Sequence, residues 1–281
     1  MANKRLQGRR ALVTGASSGI GAEIARELAR EGANLVIVAR RTERLEALAS
    51  ELRESAGVEV LVQTSDLADP AAPAALFAAT EGAGIEIDVL VNNAGFGAYL
   101  PFRDTSWERY AGMIQVNMTS LTHLCWLYVA KMKERKRGWI MNVASVGAYL
   151  PCPTFAVYAA SKAYVRNMTE ALDFELKKTG VRAISVCPGG TTTEFLDHAN
   201  QKLKPGASLA MMSAERCAKI GVRKMLAGRR NVVTGYMNSL GMFALRFVPR
   251  AMYAWLGYIS LALGVESVPE KPKLPAPPAP E

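Results

Sequence analysis

Seven short, mainly apolar runs recur along the chain, and stretches with helical patterning fill most of the gaps between them. The runs are ALVTG (11–15), NLVIVAR (34–40), VEVLVQ (58–63), IDVLVNN (87–93), GWIMNVAS (138–145), VRAISVCP (181–188) and RNVVTG (230–235). Helical patterns occupy 19–31, 41–55, 107–136, 156–179 and 214–227. A strand that is apolar on both faces must be covered on both, and strands joined through helices run parallel. With right-handed crossovers, the chain is predicted to form a doubly wound α/β fold, a parallel sheet of about seven strands with helices on both faces. Residues 1–235 carry this sheet. Residues 236–264 are apolar, are interrupted at Pro249 and carry Arg246 and Arg250, which predicts two short helices extending the same domain. Beyond them, 265–281 holds six prolines and is predicted to be a disordered or polyproline tail.

The formal net charge is +9. The basic residues are scattered, and the densest run, KMKERKR (131–137), falls at a predicted helix end, where cations complement the dipole. No nucleic-acid motif and no aromatic-basic interleaving accompanies them, so no nucleic-acid partner is expected. A phosphorylated cofactor accounts for part of the charge. Cys125, Cys152, Cys187 and Cys217 are widely spaced and form no C-x-x-C. They read as reduced core thiols of a cytoplasmic protein. His123 and His198 have no carboxylate or cysteine cluster around them, so no metal is expected. His198 reads as an exposed loop residue. The N-terminal MANKRLQGRR lacks the apolar stretch of a signal peptide.

TGASSGIG (14–21) follows the first strand and opens the first helix. Gly15, Gly19 and Gly21 permit a tight turn and close backbone approach. With Ser17, Ser18 and Ile20 they would present free N–H groups and a positive helix end to a pyrophosphate. VARR (38–41) closes the second strand, where NAD-selective sheets usually place an acid. Arg40 and Arg41 suit a 2′-phosphate instead, pointing to NADP(H); the other reading is a solvated basic pair starting a helix. In SDL (65–67), Asp66 is placed to accept from an adenine amino group, with Leu67 beside it. NNAG (92–95) ends the fourth strand, where Asn92 and Asn93 can bridge neighbouring strand ends and Ala94 and Gly95 face the ligand edge.

Ser145 ends the fifth strand, and Tyr158 and Lys162 stand four apart on the next helix, on one face. The ordered set TGASSGIG, NNAG, Asn117, Ser145, YAASK (158–162) and PGGTTTEF (188–195) resembles the short-chain dehydrogenase/reductase family. That resemblance implies a Rossmann-like fold and a nicotinamide cofactor. It implies that Tyr158 exchanges a proton with the substrate oxygen and that Lys162 lowers the phenol pKa and holds the nicotinamide ribose. Ser145 would hydrogen-bond the substrate oxygen, and Asn117 would support a water relay towards Lys162. Pro188, Gly189, Thr191 and Thr193 would close over the nicotinamide, while Thr192 or Thr193 also reads as a helix N-cap.

Three segments would select the substrate: 96–102, 146–155 and 194–212, all rich in Phe, Tyr, Leu and Met. They suit a hydrophobic ketone or alcohol. The apolar C-terminus resembles that of broad-specificity bacterial carbonyl reductases and of long-chain 3-oxoacyl-CoA and 17β-hydroxysteroid reductases. It has three readings: a cover for the substrate pocket, a subunit contact, or a helix pair lying on a membrane surface. Family members pair through the helices at 112–136 and 156–179, so a homodimer or homotetramer is expected. The function expected is reversible NADPH-dependent carbonyl reduction. Its alternatives are a non-catalytic NADP-binding regulator and a membrane-surface interaction protein.

Overall fold

The computed structural model describes residues 4–266, so the proline-rich tail expected over 265–281 lies, from residue 267 on, outside the described residues. Among the described residues nine strands form: β1 (Arg10–Thr14), β2 (Asn34–Ala39), β3 (Val60–Thr64), β4 (Val89–Asn92), β5 (Gly138–Val143), β6 (Val181–Cys187), β7 (Thr191–Thr192), β8 (Met212–Ser213) and β9 (Asn231–Val233). Seven of them make one parallel sheet in the order β3-β2-β1-β4-β5-β6-β9, and β7 pairs with β8 in a small separate ribbon. Strand order reverses between β1 and β4, which opens a crevice at the carboxyl ends of these two strands.

The helices are α1 (Gly19–Arg30), α2 (Thr42–Ala56), α3 (Ala72–Ala79), α4 (Trp107–Ile114), α5 (Leu121–Glu134), α6 (Ala156–Glu175), α7 (Phe195–His198), α8 (Ala214–Leu226), α9 (Tyr236–Ala244) and α10 (Tyr253–Gly264). Alternate strand residues point to opposite faces. Ala11, Val13, Leu35 and Ile37 pack under α1, α2 and α8. Leu12, Val36, Leu90 and Ile140 pack under α3, α5 and α6. The helix expected over 107–136 runs as α4 and α5 joined by a single π-helical stretch, Gln115–Ser120, which contains Asn117. All four cysteines are buried free thiols.

Helix α6 is fixed to the sheet at its far end. The Asp173 carboxylate, 1 % exposed, accepts from Arg182 Nε (2.8 Å), the Ala183 amide (3.1 Å) and Arg230 Nε (3.3 Å). Burial pushes the Asp173 carboxyl up, but the bonds from Arg182, the Ala183 amide and Arg230 outweigh it and hold the pKa below its ordinary value.

The C-terminal segment forms two helices broken around Pro249, as the sequence suggests. A Cβ at Gly257 would fall on the Pro151 carbonyl oxygen, so α10 lies directly against the 146–155 loop. Val265 is buried and bridges Leu203, and the Glu266 amide donates to the Lys202 carbonyl at 2.8 Å. The chain therefore stays docked through residue 266 rather than leaving at 265: Val265 gains burial against the pocket loop. Among the described residues no helix is long and apolar enough to cross a membrane.

Asp173→Asn is expected to cost roughly 2 kcal/mol, because it leaves two guanidinium groups without their shared carboxylate. A depressed pKa stabilises the fold above the unfolded-state value of about 4 and ceases to do so as pH falls through the folded value. Urea titrations of wild type and variant should therefore differ at neutral pH and converge in acid.

Candidate active site

The glycine loop between β1 and α1 is shaped around one side chain. Asn93 Nδ2 donates to the carbonyls of Thr14 (3.0 Å) and Gly15 (3.3 Å). A Cβ on Gly15 would stand 2.8 Å from that nitrogen, and one on Gly21 would overlap both it and the Gly15 carbonyl. Gly15 and Gly19 also take φ of +66° and +57°, where side chains are strained. Thr14 Oγ1 accepts from the amides of Asn93 and Ala94, tying the ends of β1 and β4 together. Asn92 bridges to β5 instead, with Nδ2 donating to Asn142 Oδ1 at 2.9 Å. Both asparagines thus join neighbouring strand ends. Ser18 makes no capping bond to α1, so its side chain leaves the helix N-terminal amides free.

Arg40 and Arg41 have different surroundings. Arg40 is largely exposed and lies 3.8 Å from Asp66 Oδ2. Asp66 Oδ1 accepts from the Ala68 amide at 3.0 Å, which fixes the turn after β3. Arg41 donates to Ser17 Oγ and Ser18 Oγ of the glycine loop and, through Nη1, to Glu194 Oε2 at 2.8 Å. Arg44 Nη1 takes the other oxygen of Glu194. Hydrogen bonds from Arg41 and then Arg44 hold the Glu194 carboxyl down at about 2. Glu194 belongs to the segment after β6 that carries Pro188, Gly189, Thr191 and Thr193. This segment also touches the glycine loop directly, since the Thr193 methyl lies 3.1 Å from where a Gly19 Cβ would be. Thr193 Oγ1 accepts from the Phe195 amide at 3.3 Å in a local turn, while the N-cap of α7 is Glu194, without a side-chain capping bond, and not Thr192 or Thr193 as the sequence suggests.

At the inner end, Tyr158, Lys162 and Ser145 converge. Tyr158 is 8 % exposed and its ring stacks on Phe155 at 4.3 Å, with Phe195 at 5.3 Å. Burial pushes the phenol up to about 12, against the opposing hydrogen bond with Ser145. Burial likewise pushes the Lys162 ammonium down to about 8. Lys162 Nζ donates to the Val143 carbonyl at 2.8 Å and lies 5.7 Å from the Tyr158 ring centre. Burial of the ring is the largest influence on the phenol. Ser145 Oγ accepts from the Gly147 amide at 3.1 Å, which leaves its own proton available. Asn117, fully buried, donates to the Phe96 carbonyl and Ser161 Oγ and accepts from the Phe96 amide.

These groups share one continuous cleft of about 810 Å³. Of the residues assigned from sequence to cofactor or catalysis, all line it except Gly21 and Asn117, which are packed behind the wall. The half beyond Tyr158 is walled by Phe96, Leu150, Phe155, Met211, Met242 and Leu261. Both C-terminal helices therefore contribute to the pocket, the first of the three readings of that segment. His198 is exposed at the rim. Two charged wall residues have no individual role in the sequence reading: Glu194, which appears there only within PGGTTTEF and at the start of the 194–212 segment, and Arg109, on α4. No local signal marks either, because their partners lie far away in sequence. Among the described residues no His, Cys, Asp or Glu cluster forms a metal site.

A family model described as short chain dehydrogenase matches residues 9–204. A 7β-hydroxysteroid dehydrogenase of Collinsella aerofaciens is 32 % identical over 229 residues, covering 78 % of this chain and 86 % of that protein. A short-chain dehydrogenase from Sphingobium yanoikuyae, solved with NADPH, superposes with a TM-score of 0.78 at 31 % identity, covering 85 % of this chain and 92 % of the other. A short chain dehydrogenase/reductase from Burkholderia phymatum, solved with NAD, gives a TM-score of 0.77 at 25 % identity, covering 86 % and 94 %.

Glu194 is the clasp between the two loops that roof the groove. Glu194→Gln is expected to speed amide hydrogen exchange over 190–200 by about threefold, as fits the loss of part-exposed ion pairs. Exchange over α6 should stay as in wild type.

Proposed function

The chain belongs to the short-chain dehydrogenase family, and we propose that it reduces a hydrophobic ketone to a secondary alcohol with NADPH, Tyr158 giving the proton. It is an oxidoreductase of CH–OH and C=O groups that uses a nicotinamide dinucleotide. The observation that carries the finer reading is the place of Tyr158, a buried phenol where the glycine-lined groove meets the apolar pocket.

The residues fit the cofactor on their own terms. The glycine loop is a cradle that side chains would fill, the N-terminal amides of α1 face the cleft, and two cations stand after β2. Bound there, the cofactor supplies the hydride. With its proton free, the Ser145 hydroxyl donates to the substrate oxygen and orients it. The phenol, with a pKa of about 12, is protonated at neutral pH and is ready to give its proton as that oxygen takes up negative charge. Lys162 then stabilises the phenolate left behind, and it carries full charge only below its own pKa of about 8. Phe155 and Phe195 keep water from the ring.

Arg40 is the group we assign to the 2′-phosphate, because it is exposed and its nearest acid is 3.8 Å away. Arg41 is already engaged by two serines and Glu194. The same reading places the contact of a homodimer or homotetramer on α5 and α6, which leave Trp126 and Phe174 exposed.

The first test is NADPH oxidation over a panel of aryl, steroid and long-chain ketones. Tyr158→Phe should lower kcat by about a hundredfold or more and still bind NADPH. Wild-type kcat for reduction should fall as pH rises through about 8, where Lys162 loses its charge. Equal turnover by the variant rejects the reading. In a second test, Arg40→Ala should raise KM for NADPH by about thirtyfold and barely alter that for NADH, whereas Arg41→Ala should weaken both by disturbing the glycine loop. Equal effects of Arg40→Ala on the two cofactors would reject the phosphate assignment.

A further inference from the structure

The cleft is electrostatically lopsided. Its two acidic wall residues, Asp66 and Glu194, both stand at the nucleotide end and both face arginines. On the substrate side of Tyr158, Arg109 is the only charged wall residue among the described residues, and no acid among them accompanies it.

Arg109 is held in an unusual way. Its Nη2 donates to the Gly97 carbonyl at 2.9 Å and to the His198 carbonyl. Its guanidinium carbon lies 5.6 Å from the centre of the Phe96 ring. Nε is enclosed without a hydrogen-bond partner, and Nη1 makes no hydrogen bond among the described residues. No carboxylate among the described residues pairs with it either. A part-buried cation with an orphaned N–H and no counter-ion costs free energy. Bridging two carbonyls does not require that cost, since a neutral amide donates to carbonyls equally well. Apart from the face of Phe96, the charge meets no partner among the described residues.

Its place relates it to the reacting atoms. Gly97, whose carbonyl anchors Arg109, has its α-carbon against Phe155: a Cβ there would stand 2.7 Å from the Phe155 ring. Phe155 stacks on Tyr158 at 4.3 Å. Arg109 and the proton donor therefore belong to one stack of groups along the same wall, separated by apolar surface. We infer that Arg109 selects a substrate carrying a carboxylate at the end of its apolar body remote from the ketone. An apolar body fills the wall between them, and the anion meets the free Nη1 edge at the rim beside His198. The inference rests on the ketone-reductase reading and names the substrate class within it. The ion pair forms only when substrate arrives, in a low-dielectric pocket where a single charge-assisted bond is strong.

Matched pairs test it: benzoylbutyrate and its methyl ester, and a steroid keto acid and its methyl ester. Wild type should favour the acid of at least one pair in kcat/KM, mainly through KM. Arg109→Gln should lower that acid-to-ester ratio by about thirtyfold, and Arg109→Lys should restore part of it. If Arg109 is only a strut between the two loops, both variants depress acid and ester alike and the ratio stays put, which overturns the inference. An ester preferred by wild type in every pair overturns it too. If no ketone is reduced, the same four compounds are titrated calorimetrically into the NADPH-loaded protein. Acid binding that depends on Arg109 then upholds the anion site while the reductase reading fails. Binding indifferent to charge rejects both.

Discussion

The carboxamide of Asn93 is the joint on which the site is built. It sits where the strand order reverses and fills the space that side chains at Gly15 and Gly21 would need. Its bonds to the carbonyls of Thr14 and Gly15 set the loop's path, and so the aim of the free amides at the start of α1. The same strand end continues into Gly95 and Phe96, whose backbone is clamped by Asn117. Asn117 in turn donates to Ser161, and Ser161 Oγ donates to the Tyr158 carbonyl. Hydrogen bonds and the short backbone run from Asn93 to Phe96 therefore connect the glycine loop to α6. Hydrogen bonds of this kind rigidify what they join.

The π-helical stretch makes this possible. A regular helix from α4 into α5 would turn position 117 through a different angle; the extra residue per turn directs its carboxamide to both Phe96 and Ser161. With these positions fixed, desolvation does the electrostatic tuning. Burial favours the neutral form of both Tyr158 and Lys162, raising the phenol and lowering the ammonium. Both values stay on the alkaline side of neutrality, about 12 for the phenol and about 8 for the ammonium. The phenol holds a proton to give, and the ammonium keeps its charge while it does so.

Legibility in the sequence followed the range of the interactions. The seven sheet strands were legible because burial on both faces leaves a run of apolar residues, a local signature. Tyr158, Lys162 and the glycines were legible because a helix or turn places near neighbours in sequence together. Helix α3, APAALFAA, was not, since an almost wholly apolar segment has no polar face to betray its period. The π stretch was not, since nothing in GMIQVNM breaks a helical pattern. Glu194 and Arg109 were invisible for another reason: their partners lie across the fold, Arg41 on one side and Gly97 and His198 on the other. The contrast between Arg40 and Arg41 belongs to this class, for adjacent arginines look alike until Ser17, Ser18 and Glu194 are in place.

Selectivity is assembled from the parts that the sheet constrains least. The loop after β4, the 146–155 loop, the α7 segment and the two C-terminal helices each wall the pocket, and none of them belongs to the parallel sheet. They are instead tied to one another: Arg109 joins Gly97 to His198, Glu194 joins the α7 segment to α2, and Gly257 lets α10 seat on Pro151. A pocket made this way changes shape without disturbing the strands, because its ties run between loops. Variation at any one tie should therefore alter the shape of the pocket before it alters the setting of Tyr158 and Lys162, which are held by α6 and the hydrogen bonds beneath. That separation leaves the setting of the Tyr158 phenol fixed while the charge and depth of the pocket are set independently.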